Sequence, residues 1–334
     1  MNIGDHMRQR WPKEWPVQYV PKTQWAAQRP TYRDAQPAII ETALNRSQRR
    51  PTGNWYAFAA SRDLRPRRPF GTRVAGVELV AWRGEDDRLH VGPRACPHLG
   101  ADLATATVRK GALICRWHGL RLDPDGERCG WKTLPSYDDG VLTWVRLDAA
   151  GGEAPLERPV LPARPGGDVL HAVTRVVGVC EPQDIIANRL DPWHGGWYHP
   201  YSFTRLKVLA TPAEETDRFL VAVTFRIGRL GVPAVAEFTS PEARTIVMRI
   251  VDGEGTGSVV ETHATPIGSD ATDHSHTAVI EAVIAHSDRR GFRQARRAGP
   301  LVAGLMRYAA ARLWRDDLAY AERRYRLRTG ATWP

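Results

Sequence analysis

The chain has 334 residues, 42% of them hydrophobic and 25% charged, an ordinary balance for a folded protein and a length that suits about two domains. That composition excludes collagen-like, coiled-coil and wholly disordered chains. The net charge is +10, with 42 of the 47 basic residues being Arg, and it is concentrated at the ends: residues 1–70 hold 13 basic and five acidic side chains, residues 289–334 hold 12 and three. Such basic surfaces attract an acidic protein or an anionic membrane. No nucleic-acid-binding motif accompanies the Arg residues, so no nucleic-acid partner is expected.

Residues 1–50 are rich in Pro, Arg and Trp (Trp11, Pro12, Trp15, Pro16, Pro21, Trp25), which argues against sustained helix and for an arm lying on the body. The mixture of Trp and Arg also suits peripheral contact with a membrane interface. The first 15 residues lack the apolar core of a signal peptide. Nowhere does an apolar run reach the ~18 residues of a spanning helix. Four Cys do not make a disulfide framework, so a reducing, cytoplasmic setting is expected.

From 51 to 150 short strand-like runs (55–59, 77–82, 89–92, 112–115, 142–147) alternate with Gly, Pro and Asp turns, the pattern of a small all-β domain. Residues 151–168 are dense in Gly and Pro and read as a linker. Residues 169–334 begin with the apolar run 169–179 and a helix opened by Pro182 that ends near Pro192. Strands are expected at 203–210, 219–227, 245–251, 258–265 and 276–285, then a long helix over 299–326.

Two motifs carry chemistry. Cys96-Pro-His98 is followed, after 16 intervening residues, by Cys115-Arg-Trp-His118, each pair at the tip of a β segment. Two thiolates and two imidazoles can hold zinc or a two-iron, two-sulfur cluster. The spacing is not that of a zinc finger, whose His pair shares one helix turn. One Cys and one His per loop suits a Rieske centre, in which two Cys hold one iron and two His the other. Gly100 and Gly119 follow where backbone must pass close to the sulfides. Arg94-Ala-Cys96-Pro-His98-Leu-Gly100 and Cys115-Arg-Trp-His118-Gly-Leu120, with Asp123-Pro-Asp-Gly126 beyond, resemble the Rieske iron–sulfur family. Leu99 stands where many members carry Arg.

The second motif is Asn188-Arg-Leu-Asp191-Pro-Trp-His194-Gly-Gly-Trp-Tyr-His199. Two imidazoles five apart diverge on a straight helix, and Gly195–Gly196 gives the backbone a place to bend. Two His with one carboxylate form the facial triad of a non-haem iron(II) site. With both motifs in order, the chain resembles the Rieske non-haem iron oxygenases, catalytic (alpha-type) subunit. The resemblance implies an α+β fold: an all-β Rieske domain, then a helix-grip (START-like) antiparallel sheet with a long C-terminal helix. It implies Cys96, His98, Cys115 and His118 on the [2Fe–2S] cluster and His194 and His199 on a mononuclear iron. It makes Asp191 an inter-subunit electron bridge and gives Asn188 a motif position. The third iron ligand is expected on the C-terminal helix. At ~100° per residue Asp317 shares the face of Met306, Ala310, Leu313 and Tyr320, where a carboxylate is costly unless paired or ligating. Asp316, four after Arg312, is the alternative, and the loop Asp270, Asp273, His274 and His276 is a further rival.

The resemblance further implies electrons from NAD(P)H through a separate reductase, with a ferredoxin where one is used, and O2 and a bulky hydrophobic substrate such as a terpenoid, steroid or carotenoid-like molecule. A head-to-tail homotrimer follows from it. An electron carrier without oxygenase activity and a lipid-binding helix-grip protein with a relict iron site remain as other readings.

Overall fold

The computed structural model describes residues 17–21, 28–213, 215–271 and 273–330. Its N-terminal β region contains three small antiparallel sheets. Strands β1 (Trp55–Ala60), β9 (Leu142–Arg146) and β8 (Ser136–Asp138) form one, in the order β1-β9-β8. Strands β2 (Phe70–Val74), β3 (Val77–Arg83) and β4 (Leu89–Pro93) form the second, and β5 (Thr107–Arg109), β6 (Ala112–Ile114) and β7 (Arg121–Leu122) the third. Alternating apolar residues bury Val80, Trp82, Leu103, Leu113, Leu122 and Trp131 in one core beneath Cys96 and Cys115.

The larger region is one curved antiparallel sheet. In chain order its main elements are β10 (Leu170–Gly178), α2 (Pro182–Arg189), α3 (Pro192–Tyr198), β11 (Phe203–Ala210), β12 (Phe219–Ile227), β13 (Leu230–Glu242), β14 (Thr245–Gly253), β15 (Val259–Ser269), β16 (Ser275–Ala285), α4 (Arg290–Arg297) and α5 (Gly299–Thr329), and helix α1 (Pro37–Ser47) precedes them all. The strand order is β10-β16-β15-β14-β13-β12-β11, and the two-residue strand Gln18–Tyr19 pairs with β13. The buried side of α5 (Trp314, Leu318, Ala321, Tyr325) joins one core with Ile185, Ile186, Phe219, Ile246 and Val279. This is the α+β architecture expected, with the long C-terminal helix against the sheet.

The two regions share a core in which Trp55, Leu142 and Trp144 meet Val173, Ala278 and Ile280. Arg164 staples the seam. It lies 2.8 Å from Asp139 and 2.6 Å from Glu261 on β15.

Three elements differ from the sequence reading. Helix α1 lies in the segment expected to avoid helix. Its 11 residues contain Pro only at the first position, where the missing N–H is no loss, and Ile40, Ala43, Leu44 and Ser47 bury one face. The Pro- and Trp-dense residues on which the arm was inferred lie mostly outside the described residues. Strand β13 was missed because Gly231, Pro233 and Pro241 punctuate it; bulges at Val235/Ala236 and Thr239/Glu242 accommodate the irregularity. Basic α4 has no apolar periodicity to reveal it.

Candidate metal centres and active site

The two Cys–His loops share one backbone design. Cys96 N–H donates to Ala101 O (2.9 Å) and Gly100 N–H to Cys96 O (2.8 Å); Cys115 N–H donates to Leu120 O (2.9 Å) and Gly119 N–H to Cys115 O (3.0 Å). Each turn closes through a glycine at positive φ, +74° at Gly100 and +71° at Gly119, where a side chain would be strained. The two thiols are buried and the two imidazoles exposed. The His98 and His118 rings stand edge-to-face with centroids 4.8 Å apart. Burial pushes the Cys96 thiol up, while the backbone N–H groups of His98 and Leu99, aimed at its sulfur, work against that; Cys115 hydrogen-bonds it. The thiols therefore pair at the base and the imidazoles at the rim, a donor set that fits a cluster with Cys on one iron and His on the other. Leu99 and Trp117, each 62% exposed, flank the rim with apolar surface.

At the second motif the chain turns sharply. Asp191 caps α3, its Oδ1 accepting from His194 N–H at 3.3 Å. Asn188 ends up buried in the last turn of α2. His199 lies just past the helical residues of α3, with φ −116° and ψ 55°. That departure from helical geometry, rather than a bend at Gly195–Gly196, lets imidazoles five apart converge. Asp317 arrives from α5. Its Oδ1 lies 3.1 Å from His194 Nε2, 2.7 Å from His199 Nε2 and 3.2 Å from Asn188 Nδ2. Among the described residues, these three side chains form the one group whose His, Cys, Asp or Glu donors, all within 4.8 Å of one another, could close on a single ion. Burial opposes ionisation of Asp317, but the two imidazoles outweigh it and hold its carboxyl well below the usual range. Burial pushes the Asp191 carboxyl up, against the pull of His194.

The outer nitrogens are held too. His194 Nδ1 donates to the backbone oxygen of Asp191, leaving Nε2 as the free donor. His199 Nδ1 lies 3.3 Å from Tyr201 Oη, and that phenol donates to Asp316. Asp316 thus turns toward Tyr201, while Asp317 faces the imidazoles. Asn188 Oδ1 is buried without a hydrogen-bond partner, a polar orphan beside the three donors. A carboxylate oxygen, two Nε2 atoms and an orphaned amide oxygen suit a divalent metal of intermediate softness such as iron. Of the rival residues, Asp270, Asp273 and His274 lie in the turn between β15 and β16 and His276 near the start of β16, all outside this group.

Sequence reasoning missed Tyr201, Tyr320, Arg189 and Glu281. The Tyr320 ring lies 5.5 Å from that of His194; its place three residues after Asp317 was the available signal. Glu281 came from a strand with no motif. A cavity of about 120 Å³ opens beside the three donors, walled by Leu206, Val221, Phe225, Phe238 and Met248.

The family model described as Domain of unknown function (DUF5914) matches residues 150–332, and the Rieske [2Fe–2S] domain model matches 54–139. The chain is 26% identical over 183 residues to the vanillate O-demethylase oxygenase subunit of a Pseudomonas species, spanning 48% of this chain and 53% of that one. It is 35% identical over 77 residues to a second such subunit from Pseudomonas, 23% and 22% of the two chains. The chain thus matches between about a fifth and about a half of the length of these relatives. Among solved structures, dicamba monooxygenase bound to dicamba superposes with TM-score 0.62 at 18% identity, covering 84% of this chain and 89% of that one. The carbazole 1,9a-dioxygenase terminal oxygenase of Nocardioides aromaticivorans gives 0.56 at 14%, covering 88% and 90%. These likenesses are of fold. The chain shares the fold of these oxygenases and pairs it with two metal-donor sets. The chain belongs to the DUF5914 family, joined here to a Rieske [2Fe–2S] domain.

Proposed function

We propose that this chain is the catalytic component of an oxygenase that takes reductase-supplied electrons and O2 to hydroxylate a hydrophobic molecule. The observation that carries the reading is the convergence of His194, His199 and Asp317 beside an apolar cavity, in a chain that also carries the Cys96/His98/Cys115/His118 loops. A pure electron carrier has no use for the first, and a lipid-binding protein none for the second.

When bound, the cluster supplies single electrons and the mononuclear iron a site for O2. Cys96, Cys115, His98 and His118 would hold the first; His194 Nε2, His199 Nε2 and Asp317 the second. The backbone oxygen of Asp191 and the Tyr201 phenol fix the two imidazoles as Nε2 donors. The Asp191 carboxylate, 7% exposed and touching the His194 backbone, is the proposed path by which electrons arrive from the cluster imidazoles of a neighbouring subunit. Exposed His98 and His118, flanked by Leu99 and Trp117, offer the apolar rim such a head-to-tail contact needs, and a homotrimer closes it. Apolar walls orient the substrate and keep water from the reacting atoms. The cavity volume is near that of an engineered cavity which holds benzene, roughly 150 Å³, so a steroid, terpenoid or carotenoid-like substrate would enter by one end only.

Electrons would come from NAD(P)H through a separate reductase or ferredoxin, for which the basic ends are a docking surface. Peripheral membrane contact is a further part of the reading. Residues 289–315 hold eight Arg and no acidic residue, and Leu301, Leu305 and Tyr308 are exposed along one face of α5. No described helix is long and apolar enough to cross a membrane. Sedimentation with phosphatidylserine vesicles that is lost on Leu301→Ser/Leu305→Ser tests this contact.

The central test is anaerobic purification with metal and sulfide analysis and electron paramagnetic resonance. About three irons and two sulfides per chain are expected. Two irons with two sulfides would leave only a carrier, and zinc without sulfide would remove both centres.

A further inference from the structure

Arg189, the last residue of α2, reaches into the wall of the cavity. Its guanidinium carbon lies 5.9 Å from the Phe238 ring centroid and 5.8 Å from that of Trp314. Two aromatic surfaces thus hold the fork in place. Its Nε is buried and has no hydrogen-bond partner. Glu281 feels the charge of Arg189 but forms no ion pair with it. Glu281, also on the cavity wall, accepts from Trp314 Nε1 at 2.6 Å and from Thr262 Oγ1 at 3.2 Å, both on the single oxygen Oε2. Arg189 makes no ion pair with a described carboxylate. A guanidinium positioned by rings, lining one cavity with Leu206, Val221 and Met248 and without an ion-pair partner among the described residues, is an incomplete site. The planar fork matches a carboxylate in two-point geometry.

We propose that Arg189 anchors a carboxylate subsite, so that the cavity takes an apolar acid: a ring or chain end whose carboxylate sits on the guanidinium and whose hydrocarbon faces His194, His199 and Asp317. This rests on the oxygenase reading and narrows it. The anchored end fixes which carbon is presented to the three donors, making Arg189 a specificity-determining residue. The size of the cavity fits one ring. Glu281, whose Oε2 is engaged by Trp314 and Thr262, feels the charge of Arg189 and is the rival anion on the cavity wall.

Benzoate and benzyl alcohol, alike in size and different in charge, are suitable probes. Calorimetric titration of the iron-loaded protein is expected to give tighter binding of benzoate. Arg189→Met should weaken benzoate about tenfold or more, the usual scale for removing one partner of a buried charge pair, while shifting benzyl alcohol by less than about twofold. Arg189→Lys should retain part of the preference, and Glu281→Gln, which removes the competing carboxylate, should strengthen benzoate binding. Iron and sulfide contents are expected to stay unchanged in Arg189→Met. That separates this proposal from the oxygenase reading, which fails on metal analysis alone.

Equal benzoate affinity in the wild type and Arg189→Met would overturn the subsite, because the carboxylate would then be sitting on the metal or elsewhere. Weakening of both probes together would also overturn it, by making Arg189 a packing residue. If Arg189 serves only to neutralise Glu281, Arg189→Met would lower Tm and the added Glu281→Gln would restore it, with benzoate affinity constant throughout; that pattern too ends the proposal.

Discussion

In the cluster loops all four donors come from residues 96–118, and each turn is closed by its own backbone hydrogen bonds and a glycine. In the second centre, His194 comes from the short helix α3, His199 from the residue just past it, and Asp317 from another helix more than a hundred residues away, brought over by the seating of α5 on the sheet. The first centre is a local structure placed on a scaffold; the second exists only when the whole sheet-and-helix core has formed. The surroundings differ accordingly. The loop tips expose their imidazoles, which suits the electron exchange proposed for them. The three-donor group sits beside an apolar cavity, which suits the proposed oxygen chemistry.

The comparison is broken most cleanly by removing one centre and counting what remains. Asp317→Ala should lower iron from about three to about two per chain, with sulfide and the cluster's paramagnetic signal intact. Cys115→Ser should do the reverse, losing sulfide and retaining a single metal at His194/His199/Asp317. If either substitution empties both centres, the two are not independent structures. Next in size is the link between them. Asp191→Asn keeps a good helix cap but removes the charge. Metal contents should hold while reductase-driven turnover drops by about tenfold or more, the upper part of the range seen for groups supporting metal ligands. Turnover equal to wild type would exclude Asp191 from the electron path.

The seam between the two regions gives a third test. The Asp139 and Glu261 side chains are buried, and Arg164 overcomes that burial to hold both carboxyls below their ordinary range. Arg164→Met strips both buried carboxylates of their guanidinium, leaving Glu261 only His263 at 3.3 Å and Asp139 only neutral donors such as Trp144 Nε1, with an expected loss of about 3–5 kcal/mol, the scale for breaking a buried pair. For carboxyls depressed in the folded state, the stabilisation is complete above their unfolded pKa values and disappears as pH falls through the folded ones. Wild-type Tm should therefore decline below about pH 4. The gap between wild type and Arg164→Met should be widest near neutrality and narrow on acidification. A gap that is constant with pH would make Arg164 a packing residue rather than an electrostatic staple.

The same contrast explains what the sequence disclosed. Cys96, His98, Cys115 and His118 were readable because ligand spacing and flanking Gly are local. His194 and His199 were readable as a motif, although their convergence depends on His199 leaving helical geometry, which spacing alone does not reveal. Asp317 could be preferred to Asp316 because helical period puts it on the apolar face of α5. Helix α1 was hidden by its Pro-rich neighbourhood and β13 by internal Pro and Gly, since tertiary packing overrides local propensity in both. Arg189 and Glu281 carried no local signal. Each became notable only when the fold turned it toward the cavity.

The smallest effect expected is at the outer face of His199, where the second centre is tuned rather than built. Tyr201 Oη faces His199 Nδ1 and donates to Asp316, and the Arg312 guanidinium stacks 4.1 Å above the phenol ring. Burial and then the Asp316 carboxylate push the phenol pKa up, so it stays protonated and keeps donating to that carboxylate. Its oxygen lone pair is then free to accept from Nδ1–H, which fixes the tautomer that aims Nε2 at Asp317. Tyr201→Phe keeps the ring under Arg312 and removes only this hold, so iron affinity in a chelator competition should fall about 10- to 100-fold, as for other supports of metal-bound His. Asp316→Asn, one bond further out, should cost less, and neither should alter the cluster's signal. Unchanged iron affinity in Tyr201→Phe would mean that packing against Tyr198 and Phe203, whose ring centroids lie 4.8 and 6.2 Å from that of His199, orients the imidazole instead.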